Sequence, residues 1–385
     1  MSKHIRSITF IFAISVAIFA HGGMATAQPL ELPLRGDSGE IILRLNSNED
    51  NKNRYLRSAA FSPDGTRVCN VGYTGPWIVE NGERVRRFAG VVELWSAETG
   101  AMIQSLDGHI DIVNSVAFSP DGTMVLTGSD DATAILWNME SGAIIHTFYH
   151  PGKVNSVAFS PDGSMVLTGG GGLSEPGTAT LWDANTGLEI RTFTGLTSWV
   201  WSVAFSPDGT KAMTGSWDGA KLWDVETGAE IQSFNDAASH VDFYDAASSV
   251  AFSPDGKQVV TGGIYNSIAI LWDLESGTEI RKFRHNLYDI TSLPVAFSPD
   301  GLFVLTGSGE SGWGVDTDNT AKLWDAESGQ EIQTFHGHTS TISSVAFSPD
   351  GKQILSASYD GTARIWDISD LFPTSGIPAG LWTLY

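Results

Sequence analysis

Two stretches of the chain bring together a hydroxyl, an imidazole and a carboxylate. These are the groups from which a nucleophile, its base and the orienter of that base are built. His109, Ser129, Asp131 and Trp137 form one set, and His338, Ser358, Asp360 and Trp366 form the other. In both, the Asp precedes the Trp by six residues. Catalysis is one reading of this pattern. The other is a buried network, because an indole N–H removed from water needs an acceptor and a satisfied polar chain fixes one packing. Recurrence of the set within a repeat favours the network. The hydroxyl that serves it is open, since Thr127 competes with Ser129. No catalytic residue and no cofactor are expected.

Other groups capable of chemistry are less well supported. His336 and His338 alternate along a strand and share a face, but no acidic or Cys pattern completes a metal site. Asp316, Asp318 and Asn319 are acidic enough for calcium but lack the spacing of a helix-loop-helix calcium loop. The glycine run Gly169–Gly172 is followed by neither Lys-Ser/Thr nor a helix, so it reads as a flexible loop and not as a phosphate cradle. The single Cys69 excludes an internal disulfide and a cysteine-built zinc site. No metal is expected.

The elements that must position these groups repeat. FSPDG begins at Phe61, Phe118, Phe159, Phe205, Phe252, Phe297 and Phe347. A Trp follows each, at 95, 137, 182, 223, 272, 324 and 366. A period of about 48 residues points to a propeller or a solenoid. Residues 113–148 decide between them. VNSVAFSP alternates, SPDG makes a type I turn, and MVLTGS, TAILWN and AIIHTF supply three more short strands. Four antiparallel strands per unit make a blade.

With its FSPDG turns, its LWD at 181–183, 222–224, 271–273 and 323–325, and its Gly108-His109 and Gly337-His338 pairs, the chain resembles the WD-repeat family over residues 38–369. It is identified as an exported, bacterial-type member. The resemblance implies an all-β fold: one seven-bladed β-propeller of four-stranded antiparallel blades. It also implies a structural role for the network His109–Asp131–Trp137 and its counterpart His338–Asp360–Trp366. Only these two units keep Gly-His; His150 and His285 lie in the corresponding region of units three and six, and unit four has no comparable His. The seventh unit lacks a fourth strand, and SGEIILRL at 38–45 matches the missing pattern, so the N-terminal strand is expected to close the ring.

Residues 1–27 read as a signal peptide: Lys3 and Arg6, a 13-residue apolar stretch at 8–20, and Ala25-Thr26-Ala27 before Gln28. The apolar stretch falls short of the ~20 residues that span a bilayer. Cleavage and export to a periplasm or the exterior are expected, with no membrane association afterwards. Residues 28–37 form a lead and 370–385 a tail. Lys and Arg number 22 against 44 acids, a net charge of −22, which opposes nucleic-acid binding. Apolar residues make up 42% of the chain, which excludes a disordered acidic tail.

The repeats differ in their insertions, near 73–90, 170–177, 235–248 and 308–319. All fall on one face of the disc, which the family calls the top. The spare aromatics gather there too: Trp77, Trp199, Trp217, Trp313, Tyr244, Tyr265 and Tyr359. Arg84, Arg86 and Arg87, with Lys52 and Arg54, concentrate cationic charge in unit one. They suit an acidic partner segment, or pair locally with Glu49, Asp50, Glu80 and Glu83. The expected function is a non-catalytic, monomeric scaffold that binds a protein or peptide on the top face. A glycan-binding propeller, and a hydrolase or lyase with a site in the central funnel, are the alternatives.

Overall fold

Six four-stranded antiparallel sheets follow one another along the chain, each with its strands in sequential order, and a seventh blade joins the three last strands to the N-terminal segment. The computed structural model describes residues 34–35, 41–44, 54–75, 77–80, 83–86, 88–172, 175–235, 246–263, 267–285, 293–309 and 319–371. Only the backbone is described for the strands within 34–44 and 77–86. Residues 1–27, expected from sequence to be a signal peptide, and those beyond Leu371 lie outside the described residues. Among those described, no helix is long and apolar enough to cross a membrane.

Blade 2 shows how the sequence makes the unit. Its strands are Val113–Phe118, Met124–Ser129, Thr133–Asn138 and Ile144–Tyr149. The second strand is buried on both faces from Val125 to Ser129, because a blade sits against each side of it. The fourth strand lies on the rim, where Ile144 and Ile145 are exposed. Between the first two strands, Ser119 Oγ donates to Asp121 Oδ1 (2.6 Å), and the Gly122 N–H donates to the Ser119 carbonyl (2.9 Å). Gly122 has φ +71°, which favours glycine. A Cβ there would lie 3.4 Å from Pro63 Cδ of blade 1, so the turns pack Pro against Gly around the disc. The last such contact, Gly65 against Pro349, joins blade 1 to blade 7.

The apolar cores lie between blades, not within them. Cys69, Val71, Val92 and Leu94 of blade 1 pack on Val113, Val116, Val125 and Trp137 of blade 2. The pattern repeats around the disc, and Leu355, Ala357, Ala363 and Ile365 of blade 7 pack on Leu56, Phe61 and Trp95 of blade 1. No blade buries its faces alone, so the sheets form one closed ring.

Closure comes from the N-terminal segment. Ile41–Arg44 pairs antiparallel with the third strand of blade 7, Thr362–Asp367, in the register Ile41↔Ile365 to Arg44↔Thr362. Residues 38–40 and 45 of the expected strand lie outside the described residues. A further short strand, Leu34–Arg35, adds to its outer edge, inside the segment expected to be a plain lead.

Two expectations need correction. Gly169–Gly172 is not a loop: it ends the strand Met165–Gly172, which pairs with Lys153–Phe159 and Glu175–Asp183. Glycine is required there because a Cβ on Gly170 would lie 1.8 Å from the Lys153 carbonyl oxygen, and one on Gly169 2.4 Å from Val203 Cγ1. The insertion of unit one is also structured. The strands Arg67–Thr74 and Ala89–Ser96 run to eight residues each, and between them Trp77–Glu80 and Glu83–Arg86 form a separate hairpin.

Candidate binding face and axial channel

The Ser-His-Asp sets are a structural network. Trp137 Nε1 donates to Thr127 Oγ1 at 2.8 Å, which settles the choice of hydroxyl. His109 places Nε2 2.8 Å from the same oxygen and Nδ1 2.8 Å from Asp131 Oδ2. A carboxylate only accepts, so the tautomer with Nδ1–H satisfies every group: Trp to Thr, Thr to His, His to Asp. Blade 7 repeats this through Trp366, Ser356, His338 and Asp360 at 2.8–2.9 Å. Ser129 and Ser358 instead donate to the carbonyls of Asp111 and Ser340. Burial would raise the Asp131 and Asp360 carboxyls, but hydrogen bonds from His109 and His338 outweigh it and hold both well below the usual range. The imidazole thus bridges two partners inside the wall. No hydroxyl is left poised for attack.

Every blade keeps the Trp bond, with its own partner. Trp182, Trp223, Trp272 and Trp324 donate to Thr168, Thr214, Thr261 and Thr306. Trp95 uses Asn70 Oδ1 (3.2 Å). His285 reaches Thr306 at 2.6 Å, so blade 6 retains the imidazole link without Gly-His. His150 turns to Thr178 at 3.0 Å. In blade 4, buried Leu196 stands where blade 2 has His109, and Thr197 and Ser198 hydroxyls donate to Asp218 instead.

On the top face, the turn between second and third strands touches the entry of the next blade. Lys153 pairs with Asp130, Trp199 Nε1 donates to the Gly172 carbonyl at 2.8 Å, and Arg57 donates to the Tyr359 hydroxyl. Trp199, Trp217 and Tyr359 are half-buried there. Trp199 is committed to tying blade 4 to blade 3. Trp217 packs edge-on against Trp201 with centroids 4.8 Å apart. Tyr359 meets Tyr55 (6.5 Å), which stacks on Tyr73 (4.9 Å), which meets Phe88 (5.2 Å). Trp77, Arg84 and Arg86 lie in the hairpin, with Trp77 opposite Arg86 and Val79 opposite Arg84. Arg87, Tyr244, Tyr265 and Trp313 lie outside the described residues, as do Asp316 and Asp318. Arg54 pairs at 3.7 Å with Glu93, while Glu49, Asp50 and the side chains of Glu80 and Glu83 lie outside what is described. Burial raises Glu93 to about 7, against the pull of Arg54.

The first strands of all seven blades line an axial channel of about 320 Å³, which the sequence reading missed. Ser115, Ser156, Ser202 and Ser249 each accept the N–H of a Val in the next blade, at 3.0–3.1 Å. Ser344 of blade 7 donates to the Ala59 carbonyl of blade 1 (3.5 Å). A signal was present: six of the seven units carry Ser three residues before the FSPDG Phe, and only Pro294 departs. The preceding position is also systematic, with Arg57, Asn114, Asn155, Trp201, Ser248 and Ser343.

Comparison with known proteins agrees with the geometry. The family "WD domain, G-beta repeat" matches residues 100–138, 142–183, 187–224 and 329–367. The family "Eukaryotic translation initiation factor eIF2A" matches residues 228–336. The chain is 30% identical over 315 residues to Nuclear distribution protein PAC1-2 of Uncinocarpus reesii, covering 69% of this chain and 61% of that one. It is 43% identical over 60 residues to Nuclear distribution protein PAC1 of Arthroderma otae, covering 16% and 13%. It is 44% identical over 52 residues to a guanine nucleotide-binding protein subunit beta of Arabidopsis thaliana, covering 13% and 14%. The chain therefore spans less than two thirds of each of these relatives. All three are eukaryotic and lend nothing to the bacterial-type expectation. Four matched WD repeats, within a ring of seven four-stranded blades, support a WD-repeat family for this chain.

Proposed function

We propose that the chain is a non-catalytic scaffold that binds a protein or peptide partner across its top face. The observation that carries this reading is the asymmetry of the disc. The bottom presents the same short SPDG turn in every blade, whereas the top carries the hairpin, the Trp201–Trp217 pair and the Tyr55–Tyr73–Tyr359 cluster. Half-buried aromatics give contact area at small entropic cost, the usual material of binding hot spots. The Arabidopsis relative is named as a subunit, hence as part of an assembly. The test is affinity capture with the immobilised chain beside a Trp217→Ala/Tyr359→Ala variant and a bottom-turn Leu302→Ala variant, with melting measured for all three. Wild type and Leu302→Ala should retain a common protein that the top-face variant loses. Retention by all three would place the site elsewhere.

The N-terminal pattern supports export as a second proposal. A mature protein beginning at Gln28 by N-terminal sequencing would bear it out, and an intact Met1 would overturn it.

A further inference from the structure

One charged side chain of the channel wall is only partly used by the wall. Apart from Ser58, the serines are committed between blades. Ser248 Oγ accepts the Leu293 N–H and donates to the Gly262 carbonyl, and Ser343 donates to the Leu56 carbonyl. Asn114 donates to Asp130 and to the Val154 carbonyl, and Asn155 donates to the Val200 carbonyl. Arg57 occupies the same strand position, and its one stitch between blades leaves most of its donors unengaged. Its hydrogen bond goes to the Tyr359 hydroxyl, and its guanidinium lies over the Tyr359 and Tyr73 rings at 5.0 and 5.6 Å. Nε is buried with no hydrogen-bond partner. Among the described residues Arg57 has no carboxylate within ion-pair distance, and it is the one charged residue lining the channel.

A guanidinium offers five N–H donors in a planar fork, and the wall engages one of its nitrogens. The two tyrosine rings fix the plane of the fork, so little ordering remains to be done on binding. The missing partner is an anion. One cation, with no second Arg or Lys in the wall, balances one negative charge; a phosphate dianion would be left half-compensated. The protein's own charge of −22 repels anions at long range, so occupancy depends on local, geometrically matched contact.

We infer that Arg57 is a carboxylate-binding site at the top mouth of the channel, filled by the side chain of an acidic residue on the bound partner. This rests on the partner-binding reading above. The test is calorimetric titration of the full chain with the capped tripeptide acetyl-Gly-Glu-Gly-amide, its Gln counterpart, glutarate and inorganic phosphate. The Glu peptide should bind at least about tenfold more tightly than the Gln peptide, a comparison that needs no variant. Arg57→Gln should abolish that preference, and Arg57→Lys, which keeps the charge without the fork, should retain part of it. Equal binding of the two peptides, or no binding of either, overturns the inference. So does tighter binding of phosphate than of the Glu peptide. Glutarate binding without peptide binding overturns the partner as occupant. If the two peptides bind alike while capture survives Arg57→Gln, this inference falls and the partner-binding reading stands.

Discussion

Replacing Thr127 with Val removes one buried oxygen and almost no volume. That oxygen accepts the Trp137 indole N–H at 2.8 Å and serves His109 Nε2 at 2.8 Å. Trp137 and the His109 side chain are each about 1% exposed, so water does not replace the lost partner. An unsatisfied buried polar group costs about 1–3 kcal/mol, so two of them bring the loss to about 2–6 kcal/mol. The repeat supplies its own control. Thr214→Val in blade 4 orphans only the Trp223 N–H, because Leu196 stands where the imidazole would be. Its expected loss is about 1–3 kcal/mol. For a ring of roughly 330 residues, an unfolding entropy of ~2.1 cal/mol/K per residue makes each kcal/mol worth about 1.4 °C. Calorimetric melting should therefore fall by about 3–8 °C for Thr127→Val and about 1–4 °C for Thr214→Val. Equal shifts, or a larger one in blade 4, would show that the imidazole adds nothing and would refute the network as described.

Three further outcomes follow from the fold. Gly170→Ala drives a Cβ to 1.8 Å from the Lys153 carbonyl and should cost about 3 kcal/mol or more, whereas Gly172→Ala, with nothing within 4 Å, should melt like wild type. Deleting residues 34–44 strips the partner from Thr362–Asp367 and exposes a strand edge, so the shortened protein should melt lower and sediment as aggregates; unchanged melting would disprove the clasp. Burial pushes Glu93 up to about 7 in the folded chain from its ordinary 4.5, so the native state holds its proton more tightly and stability falls as pH rises through that window, by up to about 3 kcal/mol. Asp131 and Asp360 act oppositely: their folded values lie below 3.8, so their contribution is present above about pH 4 and is lost as pH falls further. Urea midpoints at pH 5, 6 and 7 should fall with pH in wild type relative to Glu93→Gln, in which the buried His150 imidazole, itself lowered, leaves stability rising with pH.

The repeat was legible because its turns are written in residues with few alternatives. Pro presets one dihedral of SPDG and Gly supplies the positive φ, so blade number, the Trp of each unit and the closing strand could be placed from the repeat pattern. Ambiguity lay where residue type does not report environment. Thr127 and Ser129 are both buried hydroxyls two residues apart, and only the ladder, which sets Val125 opposite Trp137, decides which meets the indole. Gly169–Gly172 looked like a loop because glycine marks both freedom and close approach, and here the neighbouring backbone demands it. Arg57 stood outside the cationic cluster of Lys52, Arg54, Arg84, Arg86 and Arg87 that the sequence marked. Its meaning appears only when seven first strands face one axis and the other side chains at that level prove to be committed.

The measurement bearing most directly on partner binding is hydrogen–deuterium exchange of the chain, free and with its captured protein. Protection should rise at 54–58, 197–202, 216–219 and 358–361, the segments carrying Arg57, Trp201, Trp217 and Tyr359, and stay constant across the seven SPDG turns. Protection confined to those turns, or to the outer fourth strands, would contradict a partner bound across the top.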